Sequence, residues 1–130
     1  MTHTITIESV STKEQRPVPK NPTFGSVFSD HMFTRSYSSV GGWGEANIGK
    51  MEHLSVHPAA AVLHYAQEIF EGLKAYGRPD GDINLFRPEA NLRRFNNSAR
   101  QVVMPEVDEL FHLQALRTLI SQDKRWVPSD

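Results

Sequence analysis

Cysteine is missing altogether from this sequence of 130 residues. Its absence excludes disulfides, thiol nucleophiles and Cys-ligated zinc. An excess of charge of one sign is missing too: 14 Lys and Arg stand against 15 Asp and Glu, a formal net charge of −1. That near-balance removes the electrostatic basis for binding nucleic acid or an acidic membrane surface. No run of about 18 apolar residues occurs, so no membrane-spanning helix is expected. The opening stretch MTHTITIESVSTKEQ lacks the apolar core of a signal peptide. What is present, 38% hydrophobic and 22% charged residues, is the balance of a folded globular chain. The length fits one domain, and a cytoplasmic location is the expectation.

The chain divides into a tail, a strand-rich half and a helical half. Residues 1–20 are polar and dotted with proline, and read as a flexible N-terminal arm; within it Thr4–Ile7 alternates like a short strand. From Phe24 to Tyr37, FGSVFSDHMFTRSY favours extended structure. Gly41, Gly42 and Gly44 mark a turn around Trp43. Pro58 is placed to open a short helix over AAAVLHY. Asp80-Gly81 is a hairpin signal between strands read at Glu71–Tyr76 and Ile83–Phe86. Pro88 opens a helix that Pro105 stops, with Leu92, Phe95, Ala99 and Val102 as its apolar stripe. Asp108 is a good cap for a second helix reaching Gln122, with Leu110, Leu113, Leu116 and Ile120 on its buried side. The expected fold is α+β: an antiparallel sheet with two main helices packed on one face, a two-layer sandwich.

Read one residue at a time, the chemistry offers several weak leads. His53 and His57 are four apart, and His31 and His64 could join them. Pro58 argues against a helix through that pair, so scattered histidines are expected and no metal site. VGGWGEA lacks the lysine and the setting of a phosphate loop. Arg87, Arg93, Arg94 and Arg100 all lie on or beside the first long helix. At helical spacing, Asn91, Arg94, Ser98 and Gln101 share one polar flank, while Arg93, Asn97 and Arg100 share another. A guanidinium fork matches a phosphate, although such a flank is more commonly a solvated face. Periodicity does not choose between Arg93 and Arg94. Tyr65 and Phe70, near a helix-to-strand junction, have a plain reading as core. Lys74 would be reactive only if buried, and on a half-exposed strand it is a solvated residue.

Taken together, FGSVFSDHM, the glycine–tryptophan turn, LHYAQEIFEGLKAY, LFRPEANLRRFNNSARQVVMPE and DKRWVP resemble the branched-chain-amino-acid aminotransferases. The match runs in order from about Pro22 to Pro128. Those are pyridoxal 5'-phosphate enzymes of fold class IV, which pass the amino group of Leu, Ile or Val to 2-oxoglutarate. The resemblance implies that residues 21–130 are the small N-terminal domain of such an enzyme. It also implies that the Schiff-base lysine lies in a larger second domain absent from this chain. On that reading Lys74 is a strand position and no catalytic residue is present. The fragment is expected to be inactive alone and to bind the cofactor weakly or not at all.

Four residues carry family roles. Arg94, the second arginine of LRRF, matches the family arginine that binds the cofactor phosphate, one of several phosphate ligands. Phe70, in IFEG, matches an aromatic wall of the apolar substrate pocket. Tyr65 matches a tyrosine that completes the pocket across a dimer interface, and Phe24 matches a further pocket aromatic. The implied partners are branched-chain amino acids and 2-oxo acids, the chain's own large domain and a second subunit in a homodimer, with neither nucleic acid nor membrane. One alternative is a sister enzyme of the fold class, a D-amino-acid aminotransferase or aminodeoxychorismate lyase. Another is a free-standing interaction or binding module.

Overall fold

Residues 4–128 are described by the computed structural model, and the first residues of the arm lie outside that range. Three strands come early: β1 (Ile5–Ile7), β2 (His31–Ser38) and β3 (Gly42–Lys50). A short helix α1 (Ala61–Tyr65) and a hairpin of β4 (Ala75–Gly77) and β5 (Ile83–Leu85) follow. The chain then forms α2 (Pro88–Gln101), α3 (Glu109–Gln122) and a 3-10 turn at Lys124–Trp126. This is an α+β fold. Its strands form two sheets instead of one, of order β1-β3-β2 and β4-β5.

The first sheet is mixed. β2 and β3 pair antiparallel with Phe33 opposite Ile48, through a tight connection at which Gly42 takes φ +69°. The glycine cluster read as a turn around Trp43 turns earlier, at Ser39–Gly41, and Trp43 itself lies on β3 opposite Tyr37. β1 pairs parallel to β3, Ile5 opposite Ala46, and the Glu8 N–H extends the ladder to the Ile48 carbonyl at 2.8 Å. The Thr4–Ile7 alternation is thus spent on the open edge of β3. Ile48, on the central strand, is fully buried.

Both long helices start where local chemistry places them. Pro88 occupies the first turn of α2, where a missing N–H costs nothing. The Asp108 carboxylate accepts the Phe111 N–H at 2.9 Å, capping α3. Ala99 of α2 is fully buried, and Leu92 and Phe95 are half-buried. Helix α3 departs from expectation: it buries Phe111, Leu113 and Ala115, while Leu110 is 80% exposed. Apolar residues surround α3 on more than one side, so spacing alone did not fix which face turns inward. The sheet did. Phe111 lies under the Arg35 guanidinium at 4.6 Å, and the His112 ring meets Phe33 edge-on at 5.7 Å.

A buried asparagine closes the corner between the helices. Asn96 donates to the Val107 carbonyl at 2.9 Å and accepts the Val107 N–H at 2.8 Å. Trp43 reaches the same corner from the sheet, donating its indole N–H to the Glu106 carbonyl at 2.9 Å.

Candidate functional site

Helix α1 ends at Ala66, whose left-handed backbone (φ 49°) turns the chain back toward α2. The segment that follows is pinned to the polar flank of that helix. Gln67 donates to the Val102 carbonyl at 2.9 Å, and Asn91 donates to the Gly72 carbonyl at 3.0 Å. Asn91 also donates to Glu71 Oε1 at 2.9 Å. Arg94, three residues along the same flank, donates from Nε to Glu71 Oε2 at 2.6 Å and from Nη2 to Glu71 Oε1. These contacts explain why β4 begins at Ala75 and not at the expected Glu71. The Gly72 carbonyl is taken by Asn91 of α2 and is lost to a sheet ladder.

The second flank behaves separately. Arg100 pairs with Glu106 and Asn97, while Arg93 is simply exposed. The periodicity that divided the arginines into two sets is realised, and only Arg94 is anchored toward the 66–72 segment. Its side chain remains 66% exposed, whereas that of Glu71 is 9% exposed. Hydrogen bonds from Arg94, opposed by burial and reinforced by Asn91, hold the Glu71 carboxyl below the usual range. The same bonds raise the Arg94 guanidinium further above neutrality. A permanently charged, pre-oriented donor fork can bind an oxyanion; it cannot act as an acid or base at neutral pH.

All three aromatics are exposed. Phe24 lies in a turn closed by the Ser26 N–H on the Thr23 carbonyl and is 99% exposed. Tyr65, the last residue of α1, and Phe70 are each 84% exposed. They are not the core residues that the plain reading of Tyr65 and Phe70 expected. Lys74 is exposed beside β4, where it lines an open groove with Leu73, Tyr76, Ile120 and Trp126.

Among the described residues, no group of three His, Asp or Glu is placed to hold a metal. The histidines bond to their own surroundings: His64 Nε2 to the Pro58 carbonyl at 2.6 Å, His57 Nδ1 to the Ala59 N–H at 3.0 Å. His31 is buried. The Val10 N–H donates to its Nε2 at 3.0 Å, which assigns the proton to Nδ1, facing Asp123 Oδ1 at 2.6 Å.

Beside His31 lies a polar junction that residue-by-residue reading missed. Asp30 Oδ1 accepts the Arg16 N–H at 2.8 Å; Oδ2 accepts the Trp126 indole at 2.9 Å and the Arg125 guanidinium at 3.2 Å. Burial pushes the Asp30 carboxyl up, but those donors outweigh it and lower it to about 2. The only hint in the sequence was DKRWVP, a motif without a local partner.

The chain covers about a third of the length of the proteins it matches. It is 44% identical over 126 residues to "Branched-chain-amino-acid aminotransferase 2" of Bacillus subtilis, spanning 97% of this chain and 35% of that protein. It is 45% identical over 115 residues to the cytosolic branched-chain-amino-acid aminotransferase of Rattus norvegicus, 88% of this chain and 28% of that one. A Mycolicibacterium smegmatis protein of the same name is 47% identical over 108 residues, 83% and 29% respectively. No family model matches. No helix among the described residues is long and apolar enough to cross a membrane.

Proposed function

We propose that this chain, homologous to the N-terminal part of the branched-chain-amino-acid aminotransferases, supplies part of the cofactor and substrate site of such an enzyme. The observation that carries this is the 44% identity extending over 97% of the chain. The enzyme would exchange the amino group of Leu, Ile or Val with 2-oxoglutarate. Residues 21–130 are its small domain, residues 1–20 its arm, and a larger domain holds the cofactor lysine. The assembly is a cytoplasmic homodimer serving amino-acid biosynthesis.

The residues present fit the phosphate end of pyridoxal 5'-phosphate. Arg94 offers a charged donor fork whose inner edge is fixed and whose outer side is open to solvent. When bound, the cofactor supplies an electron sink for the α-carbon of the amino acid. Arg94 anchors it by its phosphate. Phe70, Tyr65 and Phe24 form apolar walls, which suit a branched aliphatic side chain at about 0.8 kcal/mol for each buried CH₂. Their present exposure supports walls completed by the large domain and a second subunit. Lys74 takes no part in the chemistry, and the chain by itself is inactive.

The test joins this chain to the remaining two thirds of the Bacillus subtilis relative and assays leucine with 2-oxoglutarate. Turnover that needs Arg94 is the expected result. A folded assembly that turns over D-amino acids or aminodeoxychorismate instead would replace the substrate assignment.

A further inference from the structure

We propose that Glu71 is a positioning residue for Arg94, holding the guanidinium so that its outer edge meets the cofactor phosphate; this rests on the phosphate role of Arg94 proposed above. The contact is not an ordinary surface ion pair, because its two ends differ. The Glu71 side chain is 9% exposed and the Arg94 side chain 66%. The acid is the fixed partner.

The wiring supports this. Both Glu71 oxygens are engaged: Oε2 by Arg94 Nε at 2.6 Å, Oε1 by Arg94 Nη2 and by Asn91 at 2.9 Å. A side-on bond through Nε and Nη2 stops rotation about the last torsions of the arginine and turns Nη1 away from the acid. Asn91 secures Glu71 in turn, and its second bond, to the Gly72 carbonyl at 3.0 Å, fixes the backbone next to it. The Phe70 ring lies over Gly72, where an added Cβ would meet the ring at 3.4 Å. Asn91 thus holds both the Glu71 side chain and the backbone that follows it. Its negative charge already balances Arg94, so what it contributes to an incoming phosphate is direction: the fork is pre-set, and less rotational freedom is lost on binding.

The experiment uses the holoenzyme assembled from this chain and the remainder of the Bacillus subtilis relative. The dissociation constants of pyridoxal phosphate and of phosphate-free pyridoxal are measured by absorbance in the same preparation. Their ratio cancels any loss of folded protein. Glu71→Gln keeps the shape and removes the charge, and is expected to reduce the phosphate preference about tenfold. Arg94→Ala should reduce the preference further, and Glu71→Gln should then add nothing. Loss of preference in Arg94→Ala with none in Glu71→Gln overturns the positioning role and leaves the phosphate reading intact. Additive losses in the double variant overturn it as well. If Arg94→Ala, or the unaltered assembly, shows that Arg94 confers no phosphate preference, both proposals fall.

Discussion

The junction around Asp30 and the segment 54–73 reverse the usual placement of residues. At the junction, charged and polar groups lie inside. Asp30, His31 and Asp123 are each buried, and each has a partner more than 90 positions away along the chain. In the segment, apolar groups lie outside: Leu54, Leu63, Tyr65 and Phe70 are at least 60% exposed, and α1 buries no residue at all. What holds the segment is polar, the bonds of Gln67, Asn91 and Arg94. Burial thus follows the supply of partners, not the hydropathy of the residue. A buried carboxylate is tolerable where three donors meet it, and an aromatic stays in water where nothing covers it. The junction is complete in this chain. The segment leaves its apolar side chains uncovered.

Breaking the junction should have the largest effect. Asp30→Ala leaves the Trp126 indole and the Arg16 N–H without an acceptor, and leaves the Arg125 guanidinium only the Arg16 carbonyl. A loss of about 3 kcal/mol is expected in urea unfolding. A loss below about 1 kcal/mol would mean that the junction decorates the fold and does not hold it.

Acid gives a gentler version of the same break. The Asp30 carboxyl titrates at about 2 when folded, against 3.8 for the ordinary group. Because the folded value is the lower one, its contribution is fully present above about pH 4. It is lost as the pH falls toward 2, and amounts to about 2 kcal/mol. Unfolding midpoints between pH 5 and pH 2 should show this decline, and Asp30→Asn should flatten it. An equally steep decline in the variant would assign the acid sensitivity to other carboxylates.

The smallest effect on stability is expected in the apolar segment. Phe70→Ser or Tyr65→Ser should change the unfolding free energy by less than about 0.5 kcal/mol, since both rings are 84% exposed. The same changes should weaken self-association of the chain, read by sedimentation across a concentration series. A large loss of stability would show these rings packed internally. A strict monomer before any substitution would remove the contrast between the two regions.

Much of the helical half was legible because its signals are local. The Asp108 cap, Pro88 in a first turn and the Asp80-Gly81 hairpin each act within a few residues, and each appears where expected. The division of α2 into an Asn91–Arg94 flank and an Asn97–Arg100 flank follows from helical geometry alone. Similarly, the spacing gave no reason to prefer Arg94 over Arg93; the preference came from the family motif, and the fold then set Glu71 against Arg94.

The sequence by itself determined where the two long helices start, which residues share a flank, that the fold is α+β, and which family the motifs resemble. Each of these depends on interactions a few residues long or on the order of motifs. Tertiary structure alone decided that β1 would join β3 in parallel, that α3 would bury Phe111 and leave Leu110 in water, and that Asp30 would sink beneath Trp126. Those outcomes depend on surfaces brought together from distant parts of the chain. An apolar or charged side chain does not carry in its own neighbourhood the identity of the partner that will cover it.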